Sequence, residues 1–414
     1  MNKLDQLFLE ALRASVTNTK VEWEEELSAE EWQELFKKAA IHQILPLIFE
    51  AVYACPAAQK VDPAIFAPYK REMMKQVALQ MYKTEEFLQL YQQLEGQGLH
   101  PLVVKGIVCR QLYPNPDYRS SSDEDVLIAP AEFRDAHQAL LAYGMVSGEA
   151  EEKLDKVYEV PYGKPGSPIY IELHKSLFPK ESEAYGELNR FFEQVHEESK
   201  TVMVQGVAVR TMNSTMHLFY LICHAFKHFL HSGFGIRQVS DMVMFANVYG
   251  AEIDWNQILR QCQEIRADKF AAAVFKIGEK YLNFSVEASC MTEEWKQMDV
   301  EELPLLEDLL DSGIYGDSNM SRKHSSNLTL DAVGAKKQGK KVKTNVWKSI
   351  FPDFQSMKGK YRYLEKYPFL LPAAYVARVA NYAKESRRMK GNKAADSIKI
   401  GNQRIDLLKK YEII

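Results

Sequence analysis

Three short apolar runs, each marked by charged residues, most constrain what this chain can fold into. Leu102-Val103-Val104 stops at Lys105-Gly106. Asp123-Glu124-Asp125 opens a second run at 125–129, and a third at 169–174 carries Glu172 between apolar neighbours. Side chains alternate faces along a strand. Asp123 and Asp125 therefore point the same way. Glu172 shares a face with Tyr170 and His174, while Ile169, Ile171 and Leu173 turn to the core. If the three strands neighbour one another, three carboxylates meet at one sheet edge, which is costly unless cations offset the repulsion. Such oxygen donors suit Mg²⁺, and a pair of ions can clamp the attacking and leaving oxygens of a phosphoryl displacement. Asp123, Asp125 and Glu172 are thus candidate metal ligands and catalytic groups for one or two Mg²⁺. On spacing alone, a solvated turn after Arg119-Ser120-Ser121-Ser122 is the competing reading.

The flanks read as helical. Ser28 to Glu31 is a capping-box pattern ahead of Trp32, Leu35 and Phe36 on one stripe. A long periodic segment spans 66–94 and is closed by Gly96 and Gly98. Within 100–212 short strands alternate with helices at 108–113 and 131–143. A hairpin signal around Gln205-Gly206 completes the expected sheet. Helices are expected again at 215–231, 236–249, 255–265 and 269–282, and later at 347–363 and 372–390. The class is α+β, a small mixed sheet flanked by N-terminal and C-terminal helical segments. The expected organisation is a helical region at 1–97, a core at 98–212, a helical domain at 213–311, a mobile basic loop at 312–345 and a C-terminal helical region at 346–414. Lys336, Lys337, Lys340, Lys341 and Lys343 make that loop basic.

Composition narrows the function. With 46% hydrophobic and 26% charged residues the chain reads as an ordinary globular protein, and a net charge of −4 gives no general attraction to nucleic acid or acidic membranes. The five scattered cysteines lack a Cys-x-x-Cys pair and fit a reducing cytoplasm. The most apolar late stretch is broken by Pro368, Pro372 and Arg378 and does not read as a membrane span.

The ordered set Lys105-Gly106, Leu112-Tyr113-Pro114, Arg119, Asp123-Glu124-Asp125 and Glu172-Leu173-His174, followed by Cys223 to His228 and Val239-Ser240-Asp241, resembles a large, mostly uncharacterised bacterial nucleotidyltransferase family. That family lies within the DNA polymerase β nucleotidyltransferase superfamily, and the resemblance covers roughly residues 1–290. It implies a nucleotidyltransferase core and Mg²⁺-dependent transfer of a nucleoside monophosphate from a nucleoside triphosphate. The acceptor would be a small molecule, peptide or protein hydroxyl, in natural-product or envelope biosynthesis. Lys105 and Gly106 would meet the donor phosphates, and Arg119 would bind phosphate or pair with the acidic cluster as a structural salt bridge. Lys227 and His228 would face the nucleotide, with His174 and His224 as further substrate contacts. Asp241 would orient a histidine or cap a helix.

Two residues depart from the family pattern. Ile107 follows Gly106 where a hydroxyl often contacts phosphate. Glu124 separates the aspartates where an apolar residue is usual, either at an exposed strand start or, with the register moved by one, among the ligands. The departures leave room for an alternative, a repurposed or non-catalytic module that binds a partner or transfers another group. Because the acids crowd one another, Asp125→Asn is expected to abolish transfer without loss of stability.

Overall fold

Five strands form one mixed sheet in the order β1-β2-β5-β4-β3. They are β1 (Leu102–Val104), β2 (Glu124–Leu127), β3 (Val146–Ser147), β4 (Glu159–Gly163) and β5 (Tyr170–His174). The computed structural model describes residues 1–313, 320–337, 363–388 and 394–414, with isolated positions 354, 357 and 361. β2 and β5 run parallel, in a register that sets Asp125 opposite Glu172 and Leu127 opposite His174. The other pairings are antiparallel, and β1 sets Val104 opposite Asp125.

The alternation divides the sheet into two faces. Val103, Val126, Val160, Tyr162, Ile171 and Leu173 are buried on one, against Phe87, Leu90 and Tyr91 of the long helix Pro63–Gly96 and Phe133, Ala136 and Leu140 of the helix Phe133–Ala142. Leu102, Val104 and Leu127 join a second, larger core shared with the helical segments. The helix Ser214–His231 belongs to that core and presents Tyr220, His224, Lys227 and His228 toward the acidic face of the sheet.

The N-terminal segment is helical as expected, with helices Lys3–Val16, Ala29–Ile41 and Leu45–Val52 ahead of the long one. Ser28 and Glu31 form the anticipated reciprocal cap, Glu31 N–H to Ser28 Oγ at 3.2 Å and Ser28 N–H to Glu31 Oε2 at 2.7 Å. After the sheet come helices Ile236–Tyr249, Trp255–Glu264, Asp268–Tyr281 and Leu303–Ser312.

Two expectations need correction. The hairpin β6 (Lys200–Val204) and β7 (Val207–Thr211) turns at Gln205-Gly206, both with positive φ, but it stands as a separate two-stranded sheet. It lies against β1 without a ladder: the Arg210 amide goes to the Tyr91 hydroxyl at 2.9 Å, and Thr211 Oγ1 donates to the Val103 carbonyl at 2.6 Å. The segment read as a basic loop contains a helix, Met320–Lys337. It packs on Ser214–His231 and on the C-terminal helix Ala394–Lys410. That contact outweighs the weak local propensity of its Ser, Asn and Gly residues. Lys336 and Lys337 close this helix; Lys340, Lys341 and Lys343 lie outside the described residues, as does most of the helix expected at 347–363. No described helix is long and apolar enough to cross a membrane.

Candidate active site

The turn after β1 sets the geometry. Lys105 has φ +53° and Gly106 φ +25°, backbone that L side chains adopt at a cost. Gly106 tolerates it for want of a Cβ, and a Cβ there would collide with Glu124 Oε2. That carboxylate faces away from the neighbouring aspartates, as alternation requires. It is not at an exposed strand start and not among the ligands. It is buried, pairs with the fully buried Arg110 (Nη1 to Oε1, 2.5 Å) and accepts the Ile107 amide at 2.7 Å. The two departures from the family pattern are therefore one feature. Glu124 holds the amide of Ile107, whose side chain is core, and Arg110 satisfies the buried charge.

On the opposite face of β2, Lys105 turns toward Asp125, with Nζ 2.9 Å from Oδ2. The same ammonium lies 3.0 Å from His224 Nε2, and the Lys105 backbone N–H donates to His217 Nε2 at 3.1 Å. Accepting at Nε2 leaves the His217 proton on Nδ1, which faces Thr211 Oγ1 at 3.2 Å. Burial, with Lys200 and Lys105 nearby, pushes the His217 pKa down to about 3, so it is a neutral structural histidine. Despite its burial, Lys105 keeps its proton, because Asp125 holds its pKa well above the ordinary lysine value.

Asp125 is held from the other side by His174, whose Nε2 lies 3.1 Å from Oδ1. Lys105 and His174 together depress the Asp125 pKa against the opposing effect of burial. Glu172, opposite Asp125, goes the other way. Burial first, then Asp125, Asp123 and Glu159, raise its pKa to about 7. Among the described residues, the group of acids, histidines and cysteines placed to share an ion is Asp125, Glu172 and His174, whose ligand atoms lie within 4.8 Å of one another. Two carboxylates suit a hard cation, and His174 orients one of them. His174 Nδ1 is buried without a hydrogen bond, 3.4 Å from Glu159 Oε2. Asp123 is outside that set. It is half-buried just before β2, accepts from Ser122 Oγ at 2.9 Å, and lines both cavities of the site with Asp125.

Those cavities meet at Lys105, Asp123, Asp125 and His224. One is a narrow cleft that also takes in Arg119, Arg237 and Asp241. The other, of about 370 Å³, adds Glu159, Tyr170, Glu172, Tyr220, Lys227 and His228. Lys227 and His228 thus share a cavity with Glu172. Burial lowers the pKa of Lys227 and takes those of His224 and His228 well below the ordinary histidine value. Arg119 is buried against Asp241 (Nε to Oδ1, 3.0 Å), which also accepts from the Tyr113 hydroxyl at 2.8 Å. Asp241 therefore serves an arginine and a tyrosine, where the sequence pointed to a histidine or a helix cap.

Several residues that position the site have no motif to announce them. Lys83 donates to the carbonyls of Ser121 (2.6 Å) and Ser122 (2.7 Å), and Gln80 Oε1 accepts the Ser121 amide at 2.9 Å. Both come from the buried side of the helix Pro63–Gly96 and fix the approach to Asp123. Gln80, Lys83, Thr84 and Glu86 interrupt what would otherwise be an apolar stripe there, and that interruption is the signal a sequence reading can use.

A family model described as an uncharacterised nucleotidyltransferase matches residues 28–283, more than half of the 414 residues. The chain has no match among curated proteins. It belongs to that nucleotidyltransferase family.

Proposed function

We propose that this member of the family transfers a nucleoside monophosphate from a nucleoside triphosphate to an acceptor hydroxyl. The observation that carries the reading is the register setting Asp125 opposite Glu172 on adjacent parallel strands, with a lysine at the turn beside them. Asp125 and Glu172, with Asp123 at the mouth, would hold Mg²⁺; bound there, it supplies positive charge to the reacting phosphate and the leaving pyrophosphate.

The chain's own residues do the rest. Glu172 takes the proton of the acceptor hydroxyl as general base. The acceptor oxygen bonds to the α-phosphorus, the bond from that phosphorus to the β-phosphate oxygen breaks, and pyrophosphate leaves. Lys105 and the arginines of the narrow cleft attract the phosphates. Lys227 and His228 flank the nucleotide in the wider cavity, where His224 and His174 border the reacting groups. The acceptor is a small molecule, peptide or protein, in natural-product or envelope biosynthesis by family resemblance. The four buried free cysteines support a cytoplasmic setting.

The engaged Ile107 amide favours a second reading, in which the turn no longer cradles a triphosphate and the protein is a repurposed module. Incubation with Mg²⁺, candidate acceptors and triphosphates labelled at the α or γ position separates the two. Transfer of the α label with release of pyrophosphate supports the transferase. Transfer of the γ label, or neither label, removes it.

A further inference from the structure

We infer that Lys105 stands in for one of the two cations of a two-ion phosphoryl-transfer centre, so that the site takes a single divalent ion. The inference rests on the transferase reading above and concerns how this chain's residues neutralise the site.

In a two-ion centre the ions sit about 3.5–4 Å apart, and a shared carboxylate must offer an oxygen to each. Asp125 is the residue placed to be shared, since it lies at the centre of the sheet edge with Glu172 opposite and His174 beside it. Both of its oxygens already face nitrogen: Oδ2 faces Lys105 Nζ at 2.9 Å and Oδ1 faces His174 Nε2 at 3.1 Å. The ammonium is a compact point charge and occupies the Oδ2 oxygen that a second cation would need. A dication beside it would meet like charge in a poorly solvated cleft.

Lys105 is also held there. Its side chain is 16% exposed, its ammonium is braced by His224 Nε2 and its amide by His217 Nε2. Its backbone takes a positive φ that ordinarily favours Gly or Asn. A lysine kept at such a position, with two histidines around it, is built to deliver a fixed positive charge. Asp125, Glu172 and His174, whose ligand atoms lie within 4.8 Å of one another, remain for the one ion.

The test counts ions. Mn²⁺ is titrated into the full-length protein saturated with an α,β-methylene triphosphate, and free Mn²⁺ is followed by electron paramagnetic resonance. The expected result is one bound Mn²⁺ per protein–nucleotide complex in the wild type and two in Lys105→Met, the second giving a spin-coupled signal. Two ions in the wild type, or one in both proteins, would overturn the inference while leaving the transferase reading intact. No Mn²⁺-dependent complex at all would overturn both. The wild-type count stands by itself should Lys105→Met fail to fold.

Discussion

The Glu124 carboxylate occupies the space that a side chain on Gly106 would need, and through that contact the turn beside the active face is tied to the buried Arg110. Gly106→Ala must push the carboxylate aside and adopt an unfavourable φ. Glu124→Gln keeps an acceptor for the Ile107 amide but strands a buried guanidinium. Glu124→Gln is expected to cost about 3–5 kcal/mol, the range for breaking one side of a buried ion pair, and Gly106→Ala to destabilise as well. Urea unfolding measures it, and a loss below 1 kcal/mol in Glu124→Gln would mean that Arg110 finds water.

Asp125→Asn should abolish transfer and also destabilise the protein. Considered as one of three crowded acids, Asp125 could be lost without penalty. In the structure it is the counter-ion of a buried lysine, so its neutralisation leaves Lys105 unpaired. The expected loss is about 3 kcal/mol, the low end for a buried pair because Lys105 keeps some solvent contact. Thermal melts of the metal-free variant check this, and an unchanged or raised melting temperature would restore the crowding argument.

Acid should destabilise the fold through its buried histidines. Burial pushes His42 down to about 4 and His217 to about 3, against about 6.5 in the unfolded chain. As pH falls from 6.5 toward 4, the unfolded state gains protons that the native state refuses, so stability drops by about 1.4 kcal/mol per pH unit for each such histidine. Glu172, raised to about 7, works in the opposite sense between pH 7 and 4.5, because there the native state holds the extra proton. His42 faces the Leu310 carbonyl through Nε2. His42→Gln keeps a donor for that carbonyl and should remove one histidine's share of the slope. An unaltered pH profile in that variant would show that His42 is protonated in the native state.

What the sequence made legible were features of period and local chemistry. Alternation alone separates Asp123 and Asp125 from Glu124. The Gln205-Gly206 turn, the Ser28 cap and the helix Ile236–Tyr249 are all written in nearby residues. The pairings were not legible, because each joins residues distant in the chain. Glu124 finds Arg110 across a turn, Arg119 finds Asp241, and Lys105 reaches a histidine 119 positions away. The helix Met320–Lys337 was hidden for a related reason. Its glycine, serines and asparagine disfavour a helix locally, and packing on Ser214–His231 and on the C-terminal helix overrides them.

Lys83 should matter to function although it lines neither cavity of the site. It clamps the Ser121 and Ser122 carbonyls immediately before Asp123, and a displacement of about 1 Å at a reacting centre costs up to roughly 10²-fold in rate. Lys83→Met should reduce Mg²⁺-dependent turnover by about that factor. Lys83→Arg, which can still donate to both carbonyls, should recover part of it. Equal rates in all three proteins would make Lys83 a purely structural residue.

On the reading proposed above, the face carrying Asp125 and Glu172 is a metal–triphosphate site. Titration calorimetry with the four α,β-methylene nucleoside triphosphates tests it most directly, on wild type and Glu172→Gln, with Mg²⁺ or with EDTA. The expected result is binding of at least one nucleotide by the wild type with Mg²⁺, its loss in EDTA, and at least tenfold weaker binding in Glu172→Gln. Binding that is indifferent to Mg²⁺ and to Glu172, or no binding of any of the four, would contradict it.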